Sequence, residues 1–447
     1  MRRLTFLLVA VAAATAYAQP DPAQPTPPPA PPASEPAPPA PPPTPAPPPT
    51  TEPAPPPPVE PKVEAGKPAL SATYDKGITL ASGDESFELR LQFRNQLRFE
   101  SDHVTDQAEY ENHFFMPRIR LQAEGNAFGK TNRYKLEFGF GDAGSFSFVK
   151  DLWIDKRVSA APVWIRAGQW KRPFNRQELV SDFASTFNER ANTAQFVGGG
   201  RDIGVAVHND YEKSPEGLEW VAGVFNGFNG GADRPVVKNT TTCTQDPVSG
   251  DITCATTNPE NFPDDFGPAL VARVGYNSGH IKGYSEGDLE GGPLRWAVGL
   301  AYKIDLANFA AGDEASVSDN MSHGIEADAL VKAQGFDVML GAYAMKQKAD
   351  DLRYGVLVQP GYFVVPKHGQ IAARFAVASC AATTGCDNTK DPERNQIEVR
   401  GAFNWYWQGH AWKWASDIGI LKETGEDAMG TTASPELQIR SMLQLTL

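Results

Sequence analysis

Apolar and polar residues alternate with a period of two along most of the chain after about residue 70. The clearest run is FELRLQFRNQLRFE, residues 87–100, which carries apolar side chains on one face and Arg90, Arg94 and Arg98 on the other. Period two places successive side chains on opposite faces of a strand. The run exceeds the five or six residues typical of soluble strands and is long enough for a tilted membrane crossing of about 9–11 residues. This pattern predicts an amphipathic transmembrane strand.

Similar runs recur to the end of the chain. Counted from Phe87, they number about sixteen, which suits an all-β fold, a transmembrane antiparallel β-barrel without open edges. They include RYKLEFGF, RDIGVAVHN, LRWAVGLAYKI, NQIEVRGAFNWYW and the closing ELQIRSMLQLTL. No segment after the N-terminus offers the roughly 20 consecutive apolar residues of a membrane helix. Any membrane-spanning part is therefore expected to consist of strands.

A soluble β-sandwich is the competing fold, and two features favour the barrel. Aromatic residues cluster near strand ends, as at Trp405, Trp407 and Trp412, and short connections alternate with long polar ones around 226–268 and 306–322. The second face of the strands is also too charged for a dry core, because burying many unpaired ions would be prohibitive. A water-filled interior is therefore expected.

The N-terminal region divides into two parts before the barrel, which we assign to residues 67–447. Residues 1–18 have the pattern of a secretory signal peptide, with Arg2 and Arg3, a short apolar segment and a small-x-small cleavage site. Residues 19–66 consist almost entirely of Pro, Ala, Thr and Glu, a composition typical of an extended polyproline II spacer. The spacer would lie in the periplasm, either as a passive linker or as a tether that contacts the cell wall.

The four cysteines fall into two local pairs in polar loops, Cys243 with Cys254 and Cys380 with Cys386. In an exported chain this spacing favours two disulfides. Zinc is the competing interpretation, but no histidine lies at ligand spacing beside either pair. We expect no metal and no other cofactor.

A basic corner stands out in a chain whose net charge is −13. The stretch IRAGQWKRPFNRQEL, residues 165–179, brings Lys171, Arg172 and Arg176 together where a predicted strand ends. It could be a solvated loop, a nucleic-acid patch or a phosphate-binding surface. Export and the barrel pattern argue against nucleic acid. No catalytic Ser-His-Asp arrangement or phosphate-binding loop before a helix is present, so an enzyme, such as a barrel-type hydrolase, is disfavoured.

Several of these segments together resemble the phosphate-selective porin O and P family of bacterial outer membranes. They are FFMPRIRLQAEGNAFGKTNRYKLEFGF, KDLWIDKR, IRAGQWKRPFNRQEL, FNERANTAQFVGGGRDIGV and AGVFNGFNG, which occur in the family's order and spacing. The resemblance covers about residues 85–447. It implies an outer-membrane barrel of sixteen strands, usually a homotrimer embedded in lipid, with an inward-folded constriction loop and cationic side chains that carry small anions, phosphate in some members.

The basic residues of the family's motifs can be matched to this sequence position by position. The family motif RRARL reads PRIRL here, so Arg118 and Arg120 are kept while Pro117 replaces the first arginine. The segments NERAN and GGGRDIG place Arg190 and Arg201 in and just after the constriction loop. The candidate anion-binding and pore-lining residues are Arg90, Arg94, Arg98, Arg118, Arg120, Arg166, Lys171, Arg172, Arg176, Arg190 and Arg201.

The function expected from these residues is passive diffusion of small anions, with phosphate or polyphosphate as the narrower possibility. Arginine suits this role because its planar fork can bind two phosphate oxygens at once. A weakly selective general porin is the main alternative, since acids such as Glu137, Asp151, Asp182 and Glu189 share the interior. A non-conducting adhesive barrel is the third possibility; a plugged lumen would need more chain inside the barrel than the sequence offers.

Overall fold

The computed structural model describes residues 70–140, 149–158, 160–196, 200–227, 240–245, 252–257, 268–306, 321–347, 351–380, 395–424 and 434–447. All of these residues belong to one of the two units into which the chain divides, Ala65–Leu447. The predicted signal peptide and Pro-rich spacer lie outside the described residues, as does Cys386.

Strands make up nearly all of the regular structure in the described part of the chain. They are β1 (Leu70–Tyr74), β2 (Ile78–Ser82), β3 (Glu88–Val104), β4 (Glu111–Asn126), β5 (Asn132–Phe140), β6 (Val149–Arg157), β7 (Trp164–Lys171), β8 (Arg201–His208), β9 (Gly217–Phe225), β10 (Thr240–Gln245), β11 (Ile252–Thr257), β12 (Ala269–Ser278), β13 (Arg295–Leu306), β14 (Met321–Ala333), β15 (Phe336–Gln347), β16 (Asp351–Val365), β17 (Gly369–Cys380), β18 (Asn395–Tyr406), β19 (Trp412–Thr424) and β20 (Glu436–Thr446). Two short helices, α1 (Arg176–Leu179) and α2 (Asn192–Phe196), lie between β7 and β8, and a 3-10 turn spans Tyr211–Lys213. None of the described helices is long and apolar enough to cross a membrane.

The strands close into an antiparallel barrel. Each strand from β3 to β9 pairs with the next, β9 pairs with β12, and the series continues to β20, which returns to β3. The main sheet has eighteen strands, of which β1 and β2 form a hairpin outside the ring, so sixteen described strands form the wall. The predicted all-β fold and strand number are confirmed.

The β1–β2 hairpin extends the wall where β20 ends. The backbone of Leu447 exchanges hydrogen bonds of 2.8 and 2.9 Å with that of Phe93. Beyond that point along β3, β2 supplies the pairing partner, with Ile78 opposite Leu91. The backbone groups along one edge of β3 therefore pair with β20 over one part of the strand and with β2 over the next.

The two faces of the wall differ as the alternation predicts. On β3, Leu97 is 42% exposed on the outer face, whereas Gln96 and Arg98 are buried on the inner face. The same contrast separates Leu121, exposed, from Arg120, buried, on β4. An apolar exterior of this kind suits lipid contact, because the closed strands satisfy their own backbone hydrogen bonds.

A β-bulge interrupts the pairing of β3 with β4. Gln96 lies opposite Arg118, but the next pair is Arg98 with Phe115, so Met116 and Pro117 share one step of the ladder. Proline lacks an N–H donor and is tolerated in a sheet at such a bulge. The residue that departs from the family's double arginine therefore lies where the strand is irregular.

Candidate functional site

The connection between β7 and β8, described over residues 172–196 and at residue 200, folds into the barrel and is called the β7–β8 loop. The ladder of β7 ends at Lys171, just before Pro173. The side chain of Phe174 is fully buried, and Asn175 caps α1 by accepting a 2.9 Å hydrogen bond from the backbone N–H of Glu178. The basic corner thus turns the chain from the wall into the lumen.

The structure explains why glycine occupies position 168, just before this corner. Gly168 lies in β7 opposite Trp153 with a φ of +133°, a conformation that L side chains rarely adopt. A Cβ atom at this position would overlap the carbonyl oxygen of Leu152 on β6. The close approach of the two strands therefore requires glycine.

Polar groups of the opposite wall hold the β7–β8 loop across the lumen. The backbone N–H of Asn188 donates to Asp417 (3.0 Å) and that of Asn192 donates to Glu398 (2.9 Å). Side chains of β17, β18 and β20 donate in turn to loop carbonyls: Arg374 to Glu189 (3.0 Å), Asn404 to Thr186 (2.8 Å) and Gln444 to Phe183 (2.9 Å). These bonds satisfy buried backbone groups of an irregular segment and fix its position.

The narrow region between this loop and strands β3 and β4, called the eyelet, combines arginines with loop carboxylates. Arg118 contacts Glu189 (2.7 Å) and Asp182 (3.3 Å). Arg98 also binds Glu189, and Arg190 binds Asp182. The loop thus brings two acids against the predicted basic row.

The charges of the eyelet stabilise one another. Burial alone would raise the pKa of Glu189, but the adjacent Arg118 and Arg98 guanidinium groups outweigh burial and lower this pKa to about 2. Burial likewise opposes ionisation of Asp182, yet Arg190 and Arg118 hold its pKa well below the usual range. Both loop acids therefore carry a negative charge at neutral pH.

A second cluster lies on strands β3 to β8 and is called the basic cluster. Glu137 contacts four cations, namely Arg94 (2.6 Å), Lys135 (3.4 Å), Arg120 (3.6 Å) and Arg201 (3.8 Å). Asp151 contacts Lys135 and Arg201, at 2.7 Å each. Four cations thus surround two carboxylates in this described group.

The remaining predicted residues lie away from the eyelet or hold the loop. Arg90 donates to the carbonyl of Asp75 in the β1–β2 hairpin (3.0 Å), and Arg166 forms a buried pair with Asp155 (2.8 Å). The other three position the β7–β8 loop: Arg172 pairs with Asp305 (3.6 Å), Arg176 pairs with Asp328, and Lys171 donates to the carbonyls of Glu178 (2.7 Å) and Val180 (2.9 Å).

Sequence reasoning missed a second segment inside the barrel. The β12–β13 turn, residues 279–294, enters the lumen from the end of the barrel that otherwise carries the short connections, and Glu286 is 1% exposed. Its length was the available signal, because the other described connections at that end are shorter. The turn reaches the β7–β8 loop, so more chain lies inside the barrel than the sequence suggested.

Both inward segments contribute to the lining of a small cavity at the eyelet. A cavity of about 10 Å³, room for about one water molecule, is lined by Arg118, Asp182, Glu189, Arg190 and Glu286 among others. Among the described residues, no group of three or more His, Cys, Asp or Glu side chains is arranged to hold a metal ion. The chemistry of the site is that of paired fixed charges along a narrow path.

Comparisons with known proteins agree with this architecture. The family model described as "Phosphate-selective porin O and P" matches residues 87–273. No curated protein matches the sequence significantly. The structure is similar to OprB of Pseudomonas putida, with a TM-score of 0.51 and 12% identity over 81% of this chain and 95% of that chain. It is also similar to OmpF of Salmonella typhi in complex with daunomycin, with a TM-score of 0.50 and 10% identity over 84% of this chain and 100% of that chain.

At such identities the structural similarity shows the fold alone, and the family match supplies the rest. The match covers the strands and the β7–β8 loop that build both charged clusters. Localisation in the outer membrane and formation of a channel, both expected from the sequence, are thereby confirmed. The chain is a porin channel of the bacterial outer membrane, and its residues 87–273 match the family of phosphate-selective porins O and P.

Proposed function

We propose that this channel passes small anions by passive diffusion in preference to cations. The observation that carries the proposal is the basic cluster, in which Arg94, Arg120, Lys135 and Arg201 all contact Glu137 and two of them also contact Asp151. An anion that enters a narrow pore loses part of its water shell, and fixed positive charges along the path offset that loss. Four cations gathered on neighbouring strands of the lumen wall therefore favour anions.

Phosphate is the narrower form of the proposal. The description of the matching family names phosphate, and the guanidinium forks of Arg94, Arg98 and Arg118 suit its oxygens. Millimolar phosphate is then expected to reduce the chloride current. Equal block by sulfate would reduce the claim to general anion binding.

A weakly selective general porin is the second candidate, and the eyelet supports it. Asp182, Glu189 and Glu286 line the same cavity as Arg118 and Arg190. Acidic and basic side chains on opposite sides of a constriction produce a transverse electric field, while their charges nearly cancel. In that case ions of both signs would pass, sorted mainly by size.

Reversal potentials in a salt gradient across a planar bilayer separate the two candidates. Anion preference predicts a reversal potential displaced toward the value of a purely anion-selective pore. Neutralising Arg94, Arg98, Arg118 and Arg120 together is expected to move the potential back toward zero. Lys135→Gln removes one cation with less risk to folding, and Arg157→Gln is the matched control because Arg157 contacts only carbonyls in the β6–β7 turn among its described hydrogen bonds. A wild-type potential near zero would support the general porin.

We also propose the finer organisation expected from the sequence. This comprises a signal peptide over residues 1–18, a periplasmic spacer over 19–66 that contacts the cell wall, a barrel over 67–447 that acts as a channel and not as an enzyme, and a homotrimer. The disulfide Cys243–Cys254 is supported by the backbone register, which pairs the two residues across β10 and β11. Native mass spectrometry of the purified protein tests the trimer, and peptidoglycan pull-down with and without residues 19–66 tests the spacer.

A further inference from the structure

The β12–β13 turn is built into the lumen and does not merely join two strands. Ile281 is 2% exposed, and Glu286 and Asp288 are each 1% exposed. Ile281 packs in one apolar cluster with Val180 of the β7–β8 loop and Leu330 of the wall. Burial of this apolar side chain stabilises the inward position of the turn.

Charged groups at the base of the turn anchor it to the wall. Asp288 binds Arg295 and accepts a 2.8 Å hydrogen bond from the backbone N–H of Gly335. Lys332 on β14 donates to the carbonyl of Ser285 (2.7 Å). The tip of the turn is therefore held at a fixed height inside the barrel.

At its tip, Glu286 binds the β7–β8 loop from two sides. Its carboxylate accepts hydrogen bonds from the backbone N–H of Thr186 (2.7 Å) and from the side chains of Gln177 (3.4 Å) and Gln359 (2.9 Å). Its own N–H donates to the carbonyl of Ala184 (3.0 Å). Nearby, Arg176 of the loop donates to the carbonyl of Gly283 (2.8 Å). The loop and the turn, which enter the lumen from opposite ends of the barrel, thus join directly.

We propose that the β12–β13 turn is a second constriction element and that Glu286 is the positioning residue that latches it to the β7–β8 loop. Glu286 also lines the small eyelet cavity together with Arg118 and Glu189, so the contact lies at the narrow region. The Glu286 bonds hold the loop and the turn together, so that both segments narrow the lumen at the same height. The latch governs pore width and is independent of the proposed anion preference.

Single-channel recording in planar bilayers tests the latch. Glu286→Ala removes all three described side-chain bonds, so the conductance is expected to rise at least about twofold, and larger neutral polymers should enter the pore. Glu286→Gln retains an oxygen that can accept from Thr186, so its conductance is expected to stay close to that of the wild type. Glu290→Ala is the matched control, because Glu290 lies on the same turn and pairs only with Lys282 and Arg295 among its described ion pairs.

Unchanged conductance and polymer exclusion in a folded Glu286→Ala barrel would overturn the proposal, as would an equal increase in Glu290→Ala. If Glu286→Ala does not fold, judged by its mobility on unboiled gels, Gln359→Ala serves instead. That change removes one of the carboxylate's partners, so a smaller increase in the same direction is expected, and no increase would refute the latch. Reversal potentials recorded on the same channels report the anion preference separately.

Discussion

Replacing Glu189 by glutamine tests whether the eyelet charges set the ion selectivity. The carboxylate bridges Arg98 and Arg118, and its side chain is 21% exposed. The amide is nearly the same size and can still accept a hydrogen bond, so the change removes one negative charge with little change in shape. The variant is expected to be more selective for anions than the wild type.

The size of the effect depends on the distance between Glu189 and a passing ion. For an ion that passes roughly 6 Å from the carboxylate, a unit charge in water contributes about 0.7 kcal/mol. This energy changes the occupancy of an anion about threefold and that of a cation about threefold in the opposite sense. The anion-to-cation permeability ratio should therefore rise by roughly tenfold, and less at high salt because of screening.

The measurement is the reversal potential in a potassium chloride gradient at low ionic strength. Glu109→Gln removes the same charge from the exposed β3–β4 connection and should leave the ratio almost unchanged. Arg118→Gln should move the ratio in the opposite direction. A folded Glu189→Gln channel with the wild-type ratio, or with a ratio shifted toward cations, would refute the assignment of selectivity to this site.

Three further outcomes are expected from the structure. The pKa of Glu189 is lowered to about 2 and that of Asp182 lies well below its usual range, so ion selectivity should stay constant down to about pH 4. The stability that the Glu189 ion pairs contribute is present above the ordinary pKa of the carboxylate and should be lost as the pH falls through about 2. A change in selectivity near the ordinary carboxylate pKa would contradict this expectation. Asp417→Ala leaves Arg400 without that partner and frees the N–H of Asn188, so urea unfolding of the reconstituted barrel should show a loss of about 3–5 kcal/mol, with Asp417→Asn less affected. Alkylation without reductant, followed by peptide mapping, should leave Cys243 and Cys254 unmodified.

The barrel was predictable from the sequence because its signal is local. Alternation within a run such as residues 87–100 identifies both faces of the strand without reference to any other part of the chain. The end of β7 before Pro173 was predictable for the same reason, since proline cannot donate to the ladder. Closure is then required, because open strand edges cannot face lipid.

The partners of the predicted cations were not predictable, because they come from distant parts of the chain. Arg176 pairs with Asp328 and Asn188 binds Asp417, contacts that depend on the path of the β7–β8 loop across the lumen. Alternation assigns each residue to a face of its strand, but it predicts neither the position of that residue along the barrel axis nor the path of the loops. The sequence therefore predicted a basic interior and missed the β12–β13 turn that meets the loop there.

The exposure of lumenal charges also decides which cation a passing anion can reach. In the basic cluster the side chain of Arg120 is 4% exposed and that of Arg201 is 8% exposed, whereas Arg94 is 12% exposed and Lys135 is 20% exposed. All four contact Glu137, at distances from 2.6 Å for Arg94 to 3.8 Å for Arg201, so exposure and not pairing distinguishes them. Lys135 and Arg94 are the most exposed cations of the cluster, so a passing anion is expected to meet these two side chains first.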